Sequence, residues 1–207
     1  MDSDTIWRHV DQERAWLADL LETLPDASWA TPSLCDGWTV RDVGAHLAFA
    51  HAKVRDVVWP ALRTGLRYNA MIAYAAVHSP LTHTQIVATL RGFVGSRAKA
   101  PLVTEVEPLL DILVHTQDIC VPLGIEHLMP VDAAVVAADR VLRLRGPMRL
   151  WSPPAGVRLV ATDAQWSYGA GPPAAAPIQE HLLRLTGRAT SAGQARPPGP
   201  APARHSE

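Results

Sequence analysis

Ile6, Val10, Leu17, Leu21 and Leu24 recur at steps of three, four and seven residues. That is the period of a helix with one buried face, so a first helix is expected over residues 4–24. Ser33-Leu34-Cys35-Asp36-Gly37-Trp38 reads as a turn, after which Thr39, with Asp42 three residues later, forms a capping box for a second helix over about residues 40–59. Val43, Leu47, Ala50, Val54 and Val57 make its apolar stripe, and His46 lies beside that stripe on the inward side. Residues 61–77 are expected to be helical with weaker patterning, up to the break at Ser79-Pro80. Ile86, Leu90, Phe93 and Val94 mark a further helix ending near Lys99, and Pro108 suits the first turn of the next. That helix, carrying Leu109, Leu110, Ile112, Leu113, Val114 and Ile119, is mostly apolar and should be central. Val131, Ala134, Val135, Ala138 and Leu142 give one more, stopped by Gly146-Pro147.

Past residue 150 the period changes. Residues 156–162 alternate as a strand, residues 165–169 read as a second, and Asp163-Ala164 joins them as a hairpin turn. A proline- and alanine-rich loop leads to a short helix opened by Pro177, reaching Leu185 and ended by Gly187. The fold class is mainly α: a helical bundle over residues 1–150, a small α+β appendage over 151–188, and a tail over 189–207. The tail has no aromatic or large aliphatic residue and four prolines between Pro197 and Pro202. Nothing there offsets the entropy of ordering, so it is expected to be disordered.

The chain's 207 residues, 48% hydrophobic, can bury a sizeable core. A formal net charge of −1 leaves no cationic excess to release counterions, which disfavours nucleic acid and acidic lipid as partners. Cys35 and Cys120 stand far apart with no C-x-x-C pair, so neither a disulfide framework nor a cysteine zinc site is suggested. With no apolar run near the length of a membrane span and no targeting pattern at the start, a soluble cytoplasmic protein is expected.

The candidate chemistry lies in Asp111-Ile112-Leu113-Val114-His115. A spacing of four on a helix puts the carboxylate and the imidazole on one face, one turn apart, where both can bind one cation. Asp118 extends the polar stripe by another turn, outside the ligand set. His46 is the candidate third ligand. Three imidazole and carboxylate ligands from two helices suit a bundle core and leave zinc one open position, the arrangement of catalytic rather than structural sites. The spacing alone also fits, and more commonly marks, ordinary core histidines, with Asp111 capping or pairing with an arginine.

Residues 34–47, Leu-Cys-Asp-Gly-Trp-Thr-Val-Arg-Asp-Val-Gly-Ala-His-Leu, resemble the "C-x-G-W-T-V-x-D-x-x-x-H-L" segment of the maleylpyruvate isomerase family of mycothiol-dependent enzymes, within the DinB-like superfamily. Residues 108–119 are similar to its second signature and residues 160–169 to its C-terminal segment. The resemblance implies a DinB-like four-helix bundle with a divalent metal, usually zinc, held by His46, Asp111 and His115. It also implies mycothiol as thiol cosubstrate and a small-molecule electrophile as its partner. The expected chemistry is thiol transfer, or thiol-assisted cis–trans isomerisation of the maleylpyruvate type. A non-catalytic metal- or ligand-binding bundle is the alternative. No separate general acid or base and no substrate-binding arginine is identified. Cys35, Gly37 and Trp38 are expected to shape the turn and pack under the second helix.

Overall fold

Asp2 opens the first helix by accepting the Thr5 backbone N–H at 2.7 Å, and α1 then runs Ser3–Thr23. The computed structural model describes residues 1–49, 64, 68–99, 103–144 and 156–188. A 3-10 turn over Asp26–Ala30 follows, then α2 (Val40–Ala48), α3 (Tyr68–Val77), α4 (His83–Gly92), α5 (Val106–Cys120) and α6 (Val131–Arg143). The remainder of the expected second helix and the tail over 189–207 lie outside the described residues, as do Gly146-Pro147.

Helices α1 and α2 each pack against both α4 and α5, closing a four-helix bundle, while α3 lies against α2. One core joins Leu17, Leu21, Trp29, Val43, Leu47, Ile86, Leu90, Ile112 and Ile119 between these four helices. Gly44 lets α2 and α4 approach closely, since a Cβ there would meet Ile86 Cγ2 at 3.2 Å and the Trp29 ring at 3.6 Å. Helix α4 ends at Gly92, short of the expected Lys99. Arg14 of α1 donates to the Phe93 and Ser96 carbonyls at 3.0 and 3.2 Å, and Gly95 turns back at φ 82°. A tertiary partner takes carbonyls that a longer helix would have used.

The C-terminal residues form β1 (Arg158–Ala161), β2 (Ser167–Gly169), β3 (Pro173–Ala176) and α7 (Ile178–Leu185). The strand order is β2-β1-β3, with β2 antiparallel and β3 parallel to β1. Strand β3 falls in the segment expected as a loop. Its alanines and proline are poor strand formers, and Pro173 is tolerated because β3 is an edge strand. Leu159, Ala161, Ile178 and Leu182 enter a second core shared with Val10, Leu109, Leu113, Ala134 and Ala138. The sheet and α7 are therefore anchored on α1, α5 and α6. Among the described residues no helix is long and apolar enough to cross a membrane.

Candidate metal centre

The capping box expected at Thr39 forms: the Thr39 backbone N–H donates to Asp42 Oδ2 at 3.0 Å, and the Asp42 N–H to Thr39 Oγ1 at 3.3 Å. The turn before it is closed by Ser33 N–H to the Trp38 carbonyl at 2.9 Å and Trp38 N–H to the Cys35 carbonyl at 3.0 Å, with Gly37 at φ 77°. Leu34 N–H donates to the Asp118 carbonyl at 3.2 Å, tying this turn to α5. The start of α2 is thus fixed against α5, and His46, two turns on, faces Asp111 and His115.

His46 Nε2 lies 3.3 Å from Asp111 Oδ1, and His115 Nε2 lies 3.4 Å from the same oxygen. The two imidazoles meet edge to face with centroids 4.6 Å apart. One ligand atom from each residue falls within 4.8 Å of the others, a separation that a single cation can bridge. Both imidazoles are mostly buried, while the Asp111 side chain is 37% exposed, so the group opens to solvent on the carboxylate side. The Trp38 indole forms a wall, its centroid 5.4 Å from His46 and 6.4 Å from His115.

A second group shares His115. Cys35 Sγ, His115 Nδ1 and Asp118 Oδ2 also lie close enough together to hold a cation. Here His115 Nδ1 is 2.7 Å from Asp118 Oδ2, and the Cys35 thiol donates to that oxygen at 3.0 Å. Arg188, just past α7, grips the same carboxylate with both Nε and Nη2, at 2.9 Å to Oδ1 and 2.6 Å to Oδ2. Asp118 has a fully buried side chain. Cys35, expected only to shape the turn, thus also touches a candidate ligand. Neither partnership, of Cys35 or of Arg188, carried a signal in the sequence, because each joins distant parts of the chain.

Electrostatics follow this arrangement. Burial pushes the Asp111 carboxyl up, but the two imidazoles outweigh it and hold the group well below the ordinary carboxylate range. Burial likewise opposes charge on His115, yet Asp111, Asp118 and Cys35 together raise it well above the ordinary imidazole value of 6.5. Burial of Asp118 is outweighed by His115 and Arg188. The signs are therefore opposite. The His115 contribution to folding of the metal-free chain is complete below 6.5 and is lost as pH rises through the raised value. The Asp111 and Asp118 contributions are complete above the ordinary 3.8 and are lost as pH falls further.

A cation at His115 Nε2 must displace a proton. Zinc affinity, followed by competition with a chromogenic chelator, is expected to weaken roughly tenfold per pH unit below the raised His115 value. The decline should already be under way above pH 6.5. A flat affinity between pH 8 and about 6.5 would contradict coordination through His115.

Other described histidines are engaged elsewhere. His127 pairs with Glu13 at 2.9 Å and stacks on Trp16, His181 Nε2 meets the Val160 carbonyl at 2.9 Å, His83 stacks on Trp29 and His78 on Tyr74.

Comparison with known proteins bears on this geometry. The family model described as the mycothiol maleylpyruvate isomerase N-terminal domain matches residues 10–108, a span that includes His46 and stops short of Asp111 and His115. No curated protein matches the chain. Two solved structures are similar in fold. A crystal structure of the mycothiol-dependent maleylpyruvate isomerase shares 15% identity at a TM-score of 0.58, covering 96% of this chain and 97% of that one. A histidine-to-alanine mutant of that isomerase shares 14% identity at 0.59, with the same coverage. Residues 10–108 therefore match the model of the mycothiol maleylpyruvate isomerase N-terminal domain, on a chain whose fold is similar to that isomerase over nearly its full length.

Proposed function

We propose that this protein is a metal- and mycothiol-dependent enzyme that adds a low-molecular-weight thiol to an electrophilic small molecule. The reaction ends in S-transfer, or in addition and elimination that isomerises an activated double bond, as in the maleylpyruvate reaction. The observation that carries this reading is the meeting of His46, Asp111 and His115 around Asp111 Oδ1, from two helices, in a chain that matches this N-terminal domain model.

The donor set fits zinc: two imidazole nitrogens and one carboxylate oxygen supply three ligands and leave a position open. When bound there, the ion supplies Lewis acidity that lowers a thiol's pKa, and the thiolate is the reactive nucleophile. The chain's own residues do the rest. Asp111 brings the negative charge that balances the cation and lies toward solvent, where a thiol and an electrophile can enter. Trp38 sets an apolar ring beside both imidazoles. Neither cysteine belongs to this ligand set, so the nucleophile comes from outside the chain.

Turnover is therefore expected to require the thiol. With zinc-loaded protein and maleylpyruvate or a haloaromatic as electrophile, omitting mycothiol should reduce the rate to the uncatalysed background. Full activity without thiol would point to hydrolysis by activated water and overturn the reading.

A further inference from the structure

Two donor groups meet at His115, one on each ring nitrogen, and their surroundings differ. At Nδ1, the Asp118 carboxylate already accepts four donors. Its Oδ2 receives His115 Nδ1 at 2.7 Å, Arg188 Nη2 at 2.6 Å and the Cys35 thiol at 3.0 Å, and its Oδ1 receives Arg188 Nε at 2.9 Å. Oδ2, the oxygen that faces Cys35 and His115, has about two lone-pair positions, so three donors, the guanidinium among them, already crowd it. A cation there would also face the guanidinium, whose Nη2 lies 3.4 Å from Cys35 Sγ. At Nε2, by contrast, the neighbours are an acidic oxygen and a second imidazole, with no cationic side chain bonded to either among the described residues.

We propose that Asp118, held by Arg188 and Cys35, is a positioning residue that accepts the His115 Nδ1–H hydrogen bond and so presents Nε2 to the ion. The inference rests on the metal reading given above and adds the group that aims one of its ligands. An imidazole whose outer N–H is held by a carboxylate is fixed in tautomer and ring orientation, and is a more basic ligand. Arg188 keeps Asp118 in place. It donates Nη1 to the Thr186 carbonyl at 2.8 Å as well, so four of its roughly five N–H groups are spent within the chain and its fork is not free for a substrate carboxylate. The segment after α7 therefore completes a site otherwise built on α2 and α5.

The test is a cobalt(II) titration of the full chain, read by visible and near-ultraviolet absorption, together with histidine nitrogen NMR of the zinc-loaded protein. The unaltered chain should bind cobalt with no thiolate-to-metal charge-transfer band, and zinc should bind through His115 Nε2 with Nδ1 protonated. Asp118→Asn, which keeps the shape and loses the charge, should weaken cobalt by about 10–100-fold and shift its visible bands. Arg188→Gln, which leaves the Asp118 to His115 bond in place, should weaken it less, and Cys35→Ser should leave the spectrum unchanged.

Coordination through Nδ1, or a charge-transfer band lost in Cys35→Ser, would place the ion in the other group and overturn the proposal. Unchanged affinity in a folded Asp118→Asn protein would overturn it too. The NMR measurement needs no variant, so a misfolded substitution cannot shelter the idea. Failure of the unaltered chain to bind any cobalt would defeat the metal reading itself, a result distinct from binding at the wrong nitrogen.

Discussion

His46→Ala, Asp111→Ala and His115→Ala proteins, purified without chelator, are each expected to carry zinc near zero while the unaltered chain carries it stoichiometrically. Two remaining protein ligands do not hold the ion as three do. Folding should survive, because the bundle is held by apolar residues on other faces of the same helices: Val43 and Leu47 on α2, and Leu109, Ile112, Leu113 and Ile119 on α5. Asp111 is partly exposed, so its loss strands no deeply buried charge, and in His115→Ala the Asp118 carboxylate keeps its bidentate arginine. Metal analysis and far-ultraviolet circular dichroism on the same samples separate the two effects. Stoichiometric zinc in His115→Ala at neutral pH would remove the proposed ligand set.

Asp118→Ala is expected to show the largest loss of stability. Read from the sequence, this residue is a further polar position on the stripe and, beside a water near the metal, a candidate for moving protons; in the structure its side chain is wholly buried and the partnered Arg188 side chain is 13% exposed. Removing the carboxylate leaves a guanidinium and an imidazole N–H in the interior with no acceptor at that place. Breaking one side of a buried ion pair in this way costs about 3–5 kcal/mol. For a chain of this length the loss corresponds to a fall in Tm of roughly 10 °C. Thermal unfolding of the metal-free protein measures it. Arg91→Ala is the comparison: Arg91 bonds Asp19 and Glu22 at the exposed surface, where ion pairs contribute about 0–1 kcal/mol. A Tm change in Asp118→Ala no larger than that in Arg91→Ala would show that the buried cluster does not hold the bundle together.

The residues that periodicity could expose are those whose partners sit on the same helix or follow from its amphipathic face. Asp111 and His115 are one turn apart, and His46 flanks the stripe of Val43, so their approach follows once α2 packs on α5. The Thr39 and Asp42 cap is likewise local, three residues long, and it forms as expected. Arg188 had no such marker. Its partners Cys35 and Asp118 lie 153 and 70 residues away, and an arginine beyond a helix end reads as ordinary surface charge. Strand β3 was illegible for a different reason: Pro173 and three alanines carry almost no strand preference, and parallel pairing with β1 supplies the order. At Gly92 the apolar spacing continued past the true helix end, because the carbonyls of Phe93 and Ser96 are captured by Arg14, far away in sequence.

On the function proposed above, a thiol from outside the chain is activated at the group formed by His46, Asp111 and His115. X-ray absorption at the zinc edge, recorded on the zinc-loaded protein before and after adding mycothiol, tests it most directly. Only nitrogen and oxygen neighbours are expected before addition, and one sulfur neighbour after it. Sulfur already present before addition would assign the ion to Cys35, and no sulfur after saturation with mycothiol would contradict thiol activation at this centre.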